Sequence, residues 1–344
     1  MSDKLSNSQS PLRISTSKKV LFSLLLTFGL LGLLEVSCRL IGLGKKQQTH
    51  QDIANWQLQW KSDFYVFDVK QVDPSFGINQ DGLRDRNHAV AVEPGIQRVI
   101  CLGDSVTYGY GVLHEESYPS YLEKELSSTG SFEVFNVALP GWSTRQQRIA
   151  YERIARRYRP NYVILGVCLN DIAEMQNNLS APPPRLLGVM YRHSSLARSL
   201  LPGHQHEIHQ VKELFTAPDS DRVQQAWQLI LDEIETIAQL VTDDGGQFAL
   251  FVFPFRRQVL ADPPPAIPQE KFRQFCQQKN IQYWDGQQSL AELGAHGFVD
   301  YDHLSARGGL AVAQQIVQSN WIVNVASSGE SGKEDTSDVT APGR

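Results

Sequence analysis

A serine, an aspartate and a histidine stand in this 344-residue sequence where they could serve one reaction. Ser105 lies in Gly103-Asp104-Ser105, and Asp300 and His303 lie in Asp300-Tyr301-Asp302-His303. A serine hydroxyl is a weak nucleophile until a base takes its proton, and imidazole does this near neutral pH. A carboxylate on imidazole Nδ1 holds the tautomer whose Nε2 accepts that proton. A spacing of three residues lets one turn of chain bring Asp300 to His303. Ser105 is therefore the expected nucleophile of an acyl transfer, His303 the general base and acid, and Asp300 the group that holds the base.

Such a reaction also needs donors for a tetrahedral oxyanion. Ser105 follows the apolar run Arg98–Leu102 and enters a helix, so its own N–H and the helix dipole face developing negative charge. Gly141 follows the run Val134–Leu139, and a glycine lets a backbone N–H approach substrate closely. Asn170 follows Val163–Leu169 and offers a side-chain amide. Each piece has an ordinary reading beside this one. Gly-Asp-Ser and Pro140-Gly141 occur in turns, and Asn170, Asp300 or Asp302 could cap helices. Their position at successive strand ends, on one edge of one sheet, argues for a shared site.

The elements that must hold these groups alternate between apolar strand runs and amphipathic helix runs. Strands are expected at Arg98–Leu102, Glu133–Ala138, Tyr162–Val167, Phe248–Phe253 and Ile281–Trp284. Helices fit Tyr118–Leu126, Thr144–Arg157, Arg222–Val241, Gln269–Gln278 and Ala306–Asn320. Repeated β-α units predict an α/β protein, a three-layer α/β/α sandwich around a five-stranded parallel sheet. Upstream, Phe64–Val69 reads as a short strand and Asp81-Gly82 as a tight turn packed on the main domain.

Lys18-Lys19 precede an apolar stretch that runs to Leu43, long enough to span a bilayer as a helix. Glu35 and Arg39 interrupt it at helical i,i+4 spacing, where they can pair near the interface. A signal anchor is the preferred reading, and a cleaved signal peptide or a lipidated Cys38 fits less well because Glu35 sits badly in either site. Lys4, Arg13, Lys18 and Lys19 outweigh Asp3 before the span, which favours a cytoplasmic N-terminus and a catalytic domain in the periplasm or outside the cell. The expected organisation is a cytoplasmic tail (1–19), a transmembrane anchor (20–44), a juxtamembrane segment packed on the catalytic domain (45–94) and the catalytic domain itself (95–325). Within the last, 172–221 is an insertion or lid, and 326–344 is a disordered tail.

A formal charge of -5 supplies no basic stripe for a phosphate backbone, so nucleic acid is not an expected partner. Four scattered cysteines make no disulfide framework, and Cys101 and Cys168 read as buried hydrophobes. His204, His206 and His209 lack supporting ligands and read as a solvated segment, while Asp104, Asp171 and Asp302 read as structural residues. Neither a cofactor nor a metal is expected.

Ser105 with Gly103-Asp104, then Gly141, then Asn170-Asp171, then Asp300 with His303, resemble the four blocks of the SGNH, or GDSL, hydrolase superfamily. The resemblance covers Asn79 to Trp321, and Asn79–Arg84 with Gly103–Val112 looks most like membrane-anchored bacterial members. Cys168 and Ala138 stand where the family often has glycine, and neither change removes a donor. The resemblance implies a flavodoxin-like sheet, a Ser105–His303–Asp300 triad, and an oxyanion hole from Ser105, Gly141 and Asn170. The implied activity is that of an esterase on a small acyl ester, such as an O-acetyl group on a glycan. The alternatives are an O-acyltransferase acting on a glycan and a non-catalytic, membrane-anchored glycan-binding or assembly protein. The lack of a Gly-x-Ser-x-Gly elbow around Ser105 disfavours the larger lipase fold.

Overall fold

The computed structural model describes residues 15–43, 58–61, 63–70, 72, 74–172, 194–200 and 205–322. Contacts divide the chain into two units, residues 1–47 with 184–203, and 48–183 with 204–344.

In the first unit the apolar stretch forms α1 (Thr16–Ile41), with Gly42 closing it in the left-handed region at φ 76°. Its 26 residues make it long and apolar enough to cross a membrane. The expected Glu35–Arg39 pair is present, Arg39 Nε donating to Glu35 Oε1 at 2.7 Å. The same carboxylate accepts from Ser194 Oγ and from the backbone N–H of Ser195 and Leu196. Glu35 thus spends its charge on the open end of a second short helix, residues 195–200.

The second unit begins with an antiparallel hairpin, β1 (Leu58–Lys61) and β2 (Phe64–Phe67). The strand expected over Phe64–Val69 stops at Phe67, because Asp68 turns the chain by accepting from Lys70 N. β1 has no counterpart in the sequence reading. The Asp81-Gly82 turn forms as expected, Gly82 N donating to Asn79 O, and the glycine lies so close to Phe67 O that a Cβ would sit 2.5 Å away.

The main sheet follows. Chain order runs β3 (Gln97–Gly103), α2 (Ser105–Tyr108), α3 (Tyr118–Leu126), β4 (Phe132–Ala138), α4 (Thr144–Arg153) and β5 (Tyr162–Cys168). It continues with α5 (Ser195–Leu200), α6 (Gln205–Thr216), α7 (Asp221–Asp243), β6 (Gln247–Phe253), α8 (Ile267–Lys279), β7 (Gln282–Asp285), α9 (Gly286–Leu290) and α10 (Ala306–Gln318). The five strands pair in parallel in the order β4-β3-β5-β6-β7. Runs such as Val99–Leu102 and Val163–Leu165 are buried on both faces, which is why they read as continuous apolar sequence rather than alternation. The connections between these parallel strands carry helices that pack against the sheet, among them α3 on β4, α4 on β3 and α7 on β6. α3 packs on α10 and α4 on α7, while Trp227 of α7 meets Phe272 of α8 edge-on. The five expected strands and the three-layer α/β architecture are all present.

The helix expected over Thr144–Arg157 is shorter. It leaves helical geometry at Ile154 and continues as a single tighter turn, Ala155–Tyr158. Here Tyr158 Oη and Arg157 bind Asp81, and Arg156 binds Asp244, so side-chain ties outweigh the continuing helical pattern. Residues 173–193 of the insertion, the tail from 323, His204, and the side chains of His206 and His209 lie outside the described residues.

Candidate active site

β3 delivers Ser105 to the carboxyl edge of the sheet beside β5, its neighbour, whose outgoing connection runs the other way. Such a switch point is where open α/β sheets present a crevice. Asp104 caps the helix that starts at Ser105, its Oδ1 accepting from Val106 N at 2.9 Å. The turn is tight enough that a Cβ at Gly103 would lie 2.1 Å from Thr107 Oγ1, so glycine before the Asp-Ser pair is a steric need. Behind α2, Asn136 Nδ2 donates to Thr107 O. The buried Arg84 guanidinium donates to Gly109 O and Val112 O, fixing the chain that leaves the helix.

The loop that carries His303 is closed by a bridge between Phe298 and Leu304 and by Val299 N donating to His303 O at 2.9 Å. Within it Asp300 Oδ1 accepts from the N–H of Asp302 and His303, and Asp300 Oδ2 lies 2.7 Å from His303 Nδ1. His303 Nε2 lies 2.9 Å from Ser105 Oγ, joining groups 198 residues apart. Both ring nitrogens are therefore engaged, one by a carboxylate and one by a hydroxyl. Ser305, not Asp300 or Asp302, caps α10.

Charge follows this geometry. Burial works against ionising both partners, but for Asp300 the His303 hydrogen bond and charge win and hold its carboxyl well below the usual range. For His303 the Asp300 hydrogen bond and the charges of Asp302, Asp300 and Asp104 overcome burial and raise the imidazole above its ordinary value. The protonated form of the His303 imidazole is thus favoured by the carboxylates around it.

Asp302 is the unexpected member. Its Oδ1 lies 3.0 Å from His303 Nδ1, yet the ring proton is aimed at Asp300, and neither Asp302 oxygen has a well-formed hydrogen bond. The Asp302 side chain is 1% exposed against 41% for Asp300. Burial pushes its carboxyl up to about 8, opposed by His303 and helped by Asp300 and Asp104. Burial and the Asp104 charge also raise Asp171, which accepts from Gln147 Nε2. Asp300, Asp302 and His303 place their ligand atoms within 4.8 Å, a spacing a metal ion could use, but Nδ1 and Nε2 already face Asp300 and Ser105.

The other expected donors stand at neighbouring strand ends. Gly103 pairs with Ala138 in the β3–β4 register, so Ser105 and Gly141 leave the sheet at nearly the same level. Gly141 has φ +78°, and the buried Asn170 opens a helical turn just past β5. The structure thus brings Ser105, Asp300 and His303 into contact and sets Gly141 and Asn170 on the same edge. Two neighbours escaped the sequence reading. The Tyr110 ring packs 4.6 Å from the His303 ring, and Tyr65 reaches the Gly141 turn from the hairpin. Tyr110 lies in the block that follows Ser105, whereas no spacing in the sequence links Tyr65 to Gly141. Cys101 and Cys168 are buried and unbridged, and burial pushes both thiols up, so neither is a competing nucleophile.

A serine, an imidazole and a carboxylate thus meet at the carboxyl edge of a parallel α/β sheet, and the family to which the chain belongs is one of hydrolases acting on ester bonds. Residues 101–314 match the GDSL-like lipase/acylhydrolase family, and the chain belongs to that family, within the SGNH hydrolase superfamily. No curated protein matches the sequence. Among solved structures, a lipolytic protein of the G-D-S-L family from Desulfitobacterium hafniense is similar at 14% identity, with 65% of this chain and 98% of that one covered (TM-score 0.41). An acetylxylan esterase from Geobacillus stearothermophilus is similar at 16% identity, covering 64% of this chain and 93% of that one (TM-score 0.41).

Proposed function

We propose that this chain is a membrane-anchored serine esterase that cleaves a small acyl ester, an O-acetyl group on a glycan being the preferred substrate, through an acyl-enzyme. The carrying observation is the relay from Ser105 Oγ to His303 Nε2 at 2.9 Å and from His303 Nδ1 to Asp300 at 2.7 Å. Ser105 Oγ attacks the ester carbonyl while its proton passes to His303 Nε2, and Asp300 stabilises the imidazolium. The N–H groups of Ser105 and Gly141 and the amide of Asn170 receive the oxyanion. The intermediate collapses as His303 returns the proton to the leaving alcohol, and water activated by the same imidazole releases the acid. Ser105 is only 8% exposed and Tyr110 crowds His303, which favours a short acyl group. Helix α1 supports an anchor, and the basic residues before it support a catalytic domain outside the cytoplasm.

The test is acetate release from p-nitrophenyl acetate by the detergent-solubilised protein and its Ser105→Ala variant. Wild type is expected to turn over and the variant to lose on the order of 10⁴-fold in kcat. A variant as active as wild type would remove Ser105 from the chemistry. Adding a sugar acceptor separates hydrolysis from transfer, because labelled acyl then appears either as free acid or on the sugar.

A further inference from the structure

Gly141 cannot aim an N–H at an oxyanion unless the peptide bond before it is turned the right way. Leu139-Pro140-Gly141-Trp142 has the pattern of a type II turn, with proline, then glycine at φ +78°, closed by Trp142 N donating to Leu139 O at 3.2 Å. Type I and type II turns differ chiefly by a flip of the central peptide, here the Pro140 C=O and Gly141 N–H. The peptide is planar and trans, so its C=O and N–H point in opposite directions. Whatever holds the Pro140 oxygen on one side sends the Gly141 N–H to the other.

Tyr65 holds it. Its hydroxyl donates to Pro140 O at 3.0 Å, and its own carbonyl accepts from Trp142 Nε1 at 2.9 Å. The Phe64 ring packs 5.8 Å from the Trp142 ring, and Trp142 is fully buried. Phe67 N donates to Gly82 O, which ties the far end of the hairpin to the Asn79–Leu83 turn. The family match begins at residue 101, so β1 and β2 lie outside it. We propose that this hairpin is a working part of the active site, with Tyr65 the positioning residue that latches the Pro140–Gly141 peptide so that the Gly141 N–H faces the crevice. The proposal rests on the esterase reading above for the use to which that N–H is put.

Tyr65→Phe removes one hydroxyl and keeps the ring, so the full chain in detergent should fold as before. Losing a single oxyanion donor costs roughly 10²–10³ in kcat, and a turn left free to flip should lose about 10- to 100-fold, with KM little changed. A kcat within twofold of wild type, or a loss carried by KM alone, overturns the proposal. Amide hydrogen exchange over Leu139–Trp142 tests the latch without any substrate. Exchange at least tenfold faster there in Tyr65→Phe, with the sheet unchanged, supports the latch, and unaltered protection overturns it. Inactivity of the wild type towards every ester would sink the esterase reading instead and leave the latch to be decided by exchange.

Discussion

Replacing Asp302 by asparagine should stabilise the protein, and do so increasingly as pH rises. The Asp302 carboxyl is buried beside His303 Nδ1 without a sound hydrogen bond to either oxygen, and burial pushes it up to about 8 from an ordinary value of 3.8. A group whose folded pKa is raised binds a proton in the native state that the unfolded chain has already released. Stability is therefore lost as pH climbs from about 4 to about 8, and the loss reaches about 4 kcal/mol at pH 7. Asparagine has nearly the same shape and no charge to suppress, so the variant should lack this decline. At about 2 °C per kcal/mol for a domain of this size, melting at pH 7 should rise by roughly 8 °C, while near pH 4 the two proteins should melt together. Circular dichroism melts of the full chain in mild detergent, from pH 4 to pH 8, give the difference directly. A melting difference that does not grow with pH, or a variant less stable than wild type at pH 7, would show that the buried carboxyl does not limit stability. Activity should stay within about tenfold of wild type, since Asp300 still orients His303, whereas Asp300→Asn should lose on the order of 10⁴ in kcat.

On the proposed mechanism His303 acts as base only when neutral, and its pKa is raised, so the acid limb of kcat/KM should lie above the value of about 6.5 for a free imidazole, and Asp300→Asn should move it down. A pH–rate profile measures both. Gly141→Ala should lower kcat on the order of 10²-fold, since φ is +78° and a Cβ would sit 2.9 Å from the Tyr65 hydroxyl; steady-state kinetics on an aryl ester checks it. Gly308→Ala would place a Cβ 2.1 Å from the Gly297 carbonyl oxygen, forcing α10 away from the loop that carries His303. It should cost about 3 kcal/mol in urea unfolding and reduce kcat as well.

The five strands of the main sheet were legible because both faces are covered, so runs such as Val163–Leu165 are apolar at every position. Ser105 was legible because residue type and strand-end position coincide, and His303 because Asp300 stands three residues before it. β1 was not, since Leu58–Lys61 mixes polar and apolar residues and becomes a strand only by pairing with Phe64–Phe67. The end of α4 escaped because partners distant in sequence, Asp81 and Asp244, decide it. Asp302 was read as structural. Its burial, which gives it an effect on His303, comes from packing that three residues of local sequence do not encode.

The separation of 198 positions between Ser105 and His303 also sets an order of events during synthesis. Chain emerging from its N-terminus supplies β3, β4 and β5, three neighbouring strands, together with Ser105, Gly141 and Asn170. At roughly 5–20 residues per second, the base follows only about 10–40 s later. α10, which packs on α3, comes after it and secures the loop. On the proposed mechanism a half-made chain therefore carries its serine hydroxyl without a base. On that mechanism reactivity arrives in a single late step, when α10, the last helix among the described residues, closes on α3.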